Sequence, residues 1–317
     1  MAMSKSDLNA VYTRPGMRRR YEVWFMRLGL ADGSGAWWFR YLLTNLARGG
    51  CPGNPRGMPV QVWATWFPRA GLPQSFIRGF STERLSLSAS PFRLAHGENR
   101  VGEDSCSGQL SVDGHYLRWD LQYRSTFALT LGHRGWLGFS RTPHSDAIFS
   151  GEIVFDGRVF RADPLGYGLQ GHNSGHRHRR MWTWAHTIFP DANGAGLPSF
   201  EAGEYEMPLG RRARNAVLWT GGEAYAFGRF ENVQRDLENP RWSFDCANRK
   251  TGTRLVVSVD GSGGSCHRLA YLKTDCSGTF EVANNSLART KLTFSRPGRP
   301  DVVLETDVGA VLEMAGG

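Results

Sequence analysis

The sequence has little that marks a membrane or secreted protein. In the 317-residue chain, no apolar run approaches the roughly 20 residues needed to cross a bilayer. The first twenty residues (MAMSKSDLNAVYTRPGMRRR) also lack the apolar core of a secretion signal. We therefore expect no membrane-spanning segment and a cytoplasmic location.

Common catalytic and metal-binding motifs are missing as well. There is no P-loop and no G-x-S-x-G nucleophile elbow. Five cysteines are present and no two have C-x-x-C spacing, which argues against a zinc ribbon or a thioredoxin-type site and favours reduced structural thiols. A G-x-G-x-x-G pattern does occur at Gly166–Gly171. It is preceded by RADPL and followed by HNSG, so the strand and helix of a dinucleotide site are not predicted around it.

The chain is basic, with a formal net charge of +9. Such a charge can attract nucleic acid, a membrane surface or an anionic ligand. The arginines are scattered, however, and the dense clusters are short (residues 18–20, 176–180 and 211–214). No nucleic-acid-binding motif accompanies them, so we expect no nucleic-acid partner.

Long helical periods are scarce, and short apolar or alternating runs separated by turn residues fill the chain. Turn dipeptides such as Asp156-Gly157 and Gly221-Gly222 join some of these runs. Evenly spaced short strands predict an all-β protein of barrels or sandwiches. The two halves have similar strand counts, and the irregular stretch 162–175 favours a boundary near its start, which gives barrel-like halves at residues 1–165 and 166–317. The clearest strands predicted are Tyr21–Leu28, Ala36–Leu43, Val60–Phe67, His115–Tyr123 and Met181–Phe189.

The strand Met181–Phe189 carries the most chemical information. Alternation places Trp182, Trp184 and His186 on one face. If that face points into a barrel, two indoles and one titratable imidazole could bind a flat or polyene-like apolar ligand. The alternative is a core histidine hydrogen-bonded to backbone.

A histidine cluster lies just upstream, with H-x3-H-x-H spacing at His172, His176 and His178. The spacing is compatible with a metal site. No carboxylate follows within a few residues, and Arg179 and Arg180 disfavour a bound cation. We therefore predict no metal and favour a site for an anion or a substrate oxygen.

Several short segments together resemble the lipocalin-like family of carotenoid hydratases (hydroxyneurosporene synthases) and tocopherol cyclases. The resemblance implies two lipocalin-like antiparallel β-barrel halves packed together and no organic cofactor. It also implies protonation or shaping of an apolar, unsaturated substrate in natural-product chemistry. Ser174 stands where many relatives carry a tryptophan, so a smaller or more polar aromatic substrate is as compatible as a polyene. The segments are Tyr21–Trp24 (YEVW), Trp38–Tyr41 (WFRY), Gly171–Gly175 (GHNSG), Trp182–His186 (WTWAH), Trp242–Phe244 (WSF) and Asn285–Ala288 (NSLA).

The predicted function is that of a cofactor-independent lyase or isomerase, of hydratase or cyclase type, acting on a small hydrophobic or aromatic substrate. Such chemistry needs a proton donor in a dry cavity. The alternatives are a non-catalytic carrier of a hydrophobic ligand and a metal-dependent hydrolase using the histidine cluster. Candidate proton donors are His172, His176, His186, Asp120 and Glu201, with Glu22 also considered; for Asp120 and Glu22 the alternative is a solvated face or an ion pair. Candidate substrate-binding residues are Trp24, Trp38, Arg40, Trp66, Trp119, Asn173, His178, Trp182 and Trp184.

Overall fold

A computed structural model describes residues 4–13, 17–54, 56–135, 138–190, 197–220 and 222–316. Almost all of this part of the chain is antiparallel β structure arranged in two curled sheets, which confirms the prediction of an all-β fold with two barrel halves. One short helix, α1 (Lys5–Asn9), begins at the N-cap Ser4. Two 3-10 turns lie at Leu46–Arg48 and Pro208–Gly210. Within the described residues, no helix is long and apolar enough to span a bilayer.

The first sheet has twelve strands in the described residues, in the order β4-β3-β2-β1-β12-β11-β9-β8-β7-β6-β5, with β10 paired to β11. The strands are β1 (Tyr21–Leu30), β2 (Gly35–Thr44), β3 (Val60–Pro68), β4 (Gln74–Phe80), β5 (Leu85–Ala89), β6 (Phe92–His96), β7 (Asn99–Gly102), β8 (Ser105–Val112), β9 (His115–Arg124), β10 (Leu129–Gly135), β11 (Gly138–Phe155) and β12 (Arg158–Gly175).

The second sheet has ten strands in the part of the chain that is described, in the order β16-β15-β14-β13-β22-β21-β19-β18-β17, with β20 paired to β21. The strands are β13 (Trp182–Ile188), β14 (Ser199–Glu206), β15 (Arg212–Thr220), β16 (Glu223–Phe227), β17 (Phe230–Asp236), β18 (Arg241–Asn248), β19 (Thr253–Asp260), β20 (His267–Leu272), β21 (Thr279–Arg296) and β22 (Arg299–Ala315).

Local turn and strand patterns behave as the sequence predicts. In β9, Leu117, Trp119 and Leu121 are buried while the residues between them are exposed, because one face of the strand packs on the barrel core. The turn at Asp156-Gly157 has the positive φ angles, 48° and 81°, that this dipeptide adopts readily. In the predicted Gly221-Gly222 turn, Gly221 lies outside the described residues.

The change from one sheet to the other falls between Gly175, where β12 ends, and Trp182, where β13 begins. The sequence-based boundary at residue 165/166 lies inside β12. The glycines that make residues 162–175 look irregular are required by packing instead. A Cβ atom on Gly168 would lie 1.7 Å from the carbonyl oxygen of Arg27 on the neighbouring strand β1, so only glycine fits there.

The two halves share a third apolar layer, distinct from the core inside each sheet. In β1, Trp24 and Met26 point into the first core, while Val23 and Phe25 point toward the second half. Because β1, β2 and β3 are buried on both faces, their sequences are nearly continuous apolar runs. Arg27 crosses this layer and donates hydrogen bonds to the carbonyl oxygens of Ser286, Val308 (2.9 Å) and Ala310 (2.7 Å).

A disulfide also joins the halves, between Cys51 after β2 and Cys276 after β20. The expectation of reduced thiols is therefore wrong for this pair. The two cysteines are 225 residues apart, so no local spacing could have revealed the pairing. The free cysteines among the described residues are Cys106 and Cys246, which are buried, and Cys266, which is half-buried.

Candidate functional site

A cavity of about 510 Å³ lies where the two sheets meet. Its volume is in the range typical of small-molecule sites, about 300–1,000 Å³. The cavity is lined mainly by strands from both halves and by the linker that joins the sheets. The aromatic side chains in its wall are Tyr21, Phe25, Trp38, Phe139, Trp182, Trp184, Tyr205 and Tyr271, and the polar ones include Arg40, Asn173, His178, Arg214, Asn215 and Glu313.

The strand β13 presents its tryptophans to this cavity. Alternation turns Trp182 and Trp184 outward from the second sheet, whereas Ala185 packs in the core of that sheet. The predicted Trp-Trp-His face therefore lies between the halves and not inside either one. Trp184 also meets Phe25 of the first half edge-on, with ring centroids 5.9 Å apart.

Among the described residues that line the cavity, the single carboxyl group is that of Glu313 on β22, which lies beside these indoles. It is the cross-strand neighbour of Trp184. The indole N–H of Trp182 donates to its Oε1 (2.9 Å), and the hydroxyl of Tyr271 donates to its Oε2 (3.0 Å). Burial raises the pKa of Glu313 by more than the positive charge of Arg40 and the donated hydrogen bonds lower it. A carboxyl group fixed in this way can keep a proton and deliver it to a ligand.

Arg40 on β2 supplies a buried positive charge next to this carboxyl group. Its guanidinium carbon lies over the rings of Tyr271 (4.4 Å), Trp63 (4.8 Å) and Trp38 (5.2 Å). These faces stabilise the charge by cation–π attraction. Among the described residues, neither Nε nor Nη1 of Arg40 has a hydrogen-bond partner.

His178, in the linker between the sheets, stacks on Tyr21 with centroids 4.0 Å apart and planes at 15°. Burial, with a smaller contribution from Arg40, lowers the pKa of His178 to about 3. Burial raises the pKa of Tyr21 to about 12. Both rings are therefore neutral at neutral pH, and either can exchange hydrogen bonds with a ligand without carrying charge.

Glu201 on β14 lies behind the cavity wall and is 1% exposed. It accepts hydrogen bonds from Nε1 of Trp184 (2.9 Å) and from the hydroxyl of Thr142 (2.8 Å). Burial raises its pKa to about 7, against the effect of both hydrogen bonds. Since it does not line the cavity, its direct effect is to fix the orientation of Trp184.

The remaining predicted proton donors are placed away from the cavity. His172 is fully buried, with its Nε2 2.9 Å from Glu22 and its Nδ1 2.7 Å from the carbonyl oxygen of Leu8. His186 is fully buried between the halves, and its Nε2 donates to the carbonyl oxygen of Ser145 (2.7 Å). His176 and Asp120 are exposed.

The histidine cluster does not converge on one point. The side chain of His172 lies beside Glu22, that of His178 lies on Tyr21, and that of His176 is exposed. Among the described residues, no three histidine, cysteine or acidic side chains are arranged to hold a metal ion.

Of the predicted substrate-binding residues, six line the cavity: Trp38, Arg40, Asn173, His178, Trp182 and Trp184. Three others, Trp24, Trp66 and Trp119, belong to the core of the first half. Trp24 stacks on Phe92 and His172, and Trp119 stacks on Phe39, so these rings are occupied by packing.

Sequence reasoning missed Glu313 and Tyr271. A signal for Glu313 was present, because it is the single charged residue in the otherwise apolar run 308–316 (VGAVLEMAG). A lone carboxylate in a strand buried on both faces needs a partner or a function. Tyr271 carries no such signal, because its role depends on the second half folding against Arg40.

Comparisons with known proteins give matches of structure and not of sequence. No family model matches the chain, and no curated protein sequence matches it. The crystal structure of kievitone hydratase from Nectria haematococca is similar over 100% of this chain and 96% of its own, with a TM-score of 0.58 and 11% identity. The crystal structure of CghA with Sch210972 is similar over the same shares, with a TM-score of 0.62 and 9% identity. The chain therefore shares the two-halved, lipocalin-like fold of these proteins.

Proposed function

We propose that this protein is a cofactor-independent lyase or isomerase, of hydratase or cyclase type, acting on a hydrophobic or aromatic unsaturated small molecule. The observation that carries the proposal is the carboxyl group of Glu313, held by Trp182 and Tyr271 in the wall of an aromatic cavity of about 510 Å³. The fold shared with kievitone hydratase supports the same class.

Glu313 is the proposed general acid. Its proton passes to one carbon of a substrate double bond, and the positive charge that forms on the other carbon faces the indole rings of Trp182 and Trp184. In a hydratase, water adds to that carbon and returns a proton to the Glu313 carboxylate, so the enzyme is regenerated and the substrate gains one water. In a cyclase, a nucleophilic group of the substrate adds in place of water.

Trp182 and Tyr271 are positioning residues in this scheme. Each donates one hydrogen bond to a different oxygen of Glu313, which fixes the carboxyl plane relative to the cavity. Both donors also stabilise the carboxylate that remains after proton transfer. The pair thus helps Glu313 to release its proton.

The test is incubation of the protein in D2O with a panel of aryl alkenes, conjugated polyenes and α,β-unsaturated aryl ketones, followed by mass spectrometry. Acid catalysis predicts carbon-bound deuterium in a hydrated or rearranged product. Glu313→Gln should lower turnover at least about 100-fold. The exposed Glu281 on β21 gives a matched control, because Glu281→Gln makes the same chemical change outside the cavity.

Binding of panel compounds without any carbon-bound deuterium would contradict the enzyme proposal and favour a carrier of hydrophobic ligands. If Glu313→Gln forms the deuterated product equally well, the proposal of a lyase or isomerase stands, but Glu313 is not its general acid.

Membership of the carotenoid hydratase family and a place in natural-product chemistry belong to this proposal too, and they rest on the short sequence segments described above. The cytoplasmic location remains a prediction. The disulfide between Cys51 and Cys276 argues against it, because disulfides persist mainly in oxidising compartments.

A further inference from the structure

The cavity wall carries an excess of positive charge. Among the described residues that line it are four arginines (Arg40, Arg177, Arg179 and Arg214) and one acidic residue, Glu313. A ligand that enters the cavity therefore meets a positive potential, which favours an anion.

Arg40 differs from the other cavity arginines in its burial. It is 6% exposed, whereas Arg177 is exposed and the side chain of Arg214 is 29% exposed and reaches Glu204. Water and salt screen an exposed guanidinium and leave it little preference among ligands. A buried guanidinium is screened far less, so its charge can select a ligand.

The hydrogen-bonding capacity of Arg40 is also incompletely used. Among the described residues, neither its Nε nor its Nη1 meets an acceptor. Buried N–H groups of a charged side chain are costly to leave unpaired. The nearby carboxyl group of Glu313 already accepts hydrogen bonds from Trp182 and Tyr271. These two nitrogens are themselves closed off from solvent, so a ligand acceptor would meet Arg40 where its side chain lines the cavity and would give this buried charge a counter-ion.

We propose that the substrate carries an acidic head group, a carboxylate or an acidic enol, that accepts hydrogen bonds from Arg40. The inference rests on the proposed function, since it takes the junction cavity as the substrate site. Binding in this way anchors the polar end of the substrate beside Tyr271, and it leaves the unsaturated part to lie along Trp182 and Trp184 beside Glu313. Arg40 thereby sets which molecules enter and which of their carbons face the acid.

The test uses two pairs of probes with nearly equal shape, measured by isothermal titration calorimetry at pH 7.5. The first pair is 2-naphthoic acid and 2-naphthamide; the second is 4-hydroxycoumarin, which is an acidic enol, and 4-methoxycoumarin. The acidic member should bind roughly 10- to 100-fold more tightly, the scale of a hydrogen bond to a buried charge. A preference in the first pair alone identifies a carboxylate as the head group, and a preference in the second pair alone identifies an enolate. A preference in both pairs identifies a planar oxyanion of either kind.

Arg40→Met should abolish the preference for the acidic member of each pair. Arg177→Met is the matched control, because it removes an exposed arginine of the same cavity and should leave most of the preference. If Arg40→Met does not fold, as judged by its thermal transition, Arg40→Lys serves instead. It keeps the charge with different donor geometry and should reduce the preference without removing it.

Equal binding of acidic and neutral probes by the unmodified protein would overturn the inference. So would a preference that survives Arg40→Met, or one that disappears in 0.5 M NaCl as attraction to exposed arginines would. The two proposals fail separately. Acids that bind through Arg40 but never gain deuterium would contradict the enzyme and not the head group, whereas turnover of neutral alkenes without any acid preference would contradict the head group alone.

Discussion

Glu201 offers a test of the electrostatics of the junction that requires no substrate. Burial raises the pKa of this carboxyl from its ordinary value of 4.5 to about 7. Between these pH values the folded protein keeps the proton and the unfolded chain has lost it, so stability falls as the pH rises. The difference between the two pKa values corresponds to about 3 kcal/mol of stabilisation at 1.36 kcal/mol per pH unit. This stabilisation is fully present below pH 4.5 and is lost above pH 7.

The substitution Glu201→Gln replaces the carboxyl with a neutral group of the same shape that can still accept from Trp184. We therefore expect the free energy of unfolding of the variant, relative to that of the unmodified protein, to rise by about 3 kcal/mol from pH 4.5 to pH 8. Urea denaturation at the two pH values, followed by tryptophan fluorescence, measures the gain. Exposed Glu83, changed to glutamine, is the control and should show no such change. A Glu201→Gln variant whose relative stability is the same at both pH values would refute the assigned burial of this carboxyl.

Two further predictions concern how the chain is held together. Cys51→Ser should lower the free energy of unfolding by about 2–5 kcal/mol, because it opens a disulfide that closes a loop of 225 residues. Reduction of the unmodified protein with dithiothreitol should lower the free energy of unfolding by the same amount. An unchanged melting temperature would contradict the pairing with Cys276. Glu22→Gln should destabilise the fold by about 3–5 kcal/mol at pH 7, since it replaces the buried carboxylate that pairs with His172 by a neutral amide. Although burial raises the pKa of Glu22, the hydrogen bonds from His172 and from Thr13 and Tyr12 hold it below its usual range. That stabilisation is present above pH 4.5 and lost at lower pH, so the penalty should shrink on acidification; a penalty independent of pH would argue against the ion pair.

The all-β fold follows from strong local signals, and the strands with one exposed face were the easiest to predict. In β9 the alternation of Trp119 and Leu121 with polar residues is complete, because water lies on one side. The boundary between the halves was harder. In β12, glycines such as Gly168 resemble a loop in the sequence, and the backbone of Arg27, which leaves no room for a side chain at Gly168, belongs to a strand more than 140 residues earlier in the chain.

The candidate site was predictable only in part. Trp182 and Trp184 could be assigned to one face from alternation, but nothing local says whether that face points into a barrel or toward the other half. His172 and His186 look like catalytic groups in the sequence, yet their partners, Glu22 and the Ser145 carbonyl, are distant in the chain and occupy them in the buried interior. Glu313 and Arg40 acquire their relation only when the two sheets pack together, with β22 against β1 and β21 against β2, which no single-strand pattern encodes.

The most direct measurement is the steady-state kinetics of Glu313→Gln on a compound that the unmodified protein deuterates in D2O. The cavity geometry predicts that kcat falls at least about 100-fold while KM stays within about threefold, because the carboxyl transfers the proton and the aromatic walls bind the substrate. A variant that keeps its full kcat would contradict the role of Glu313 and move the acid to another group.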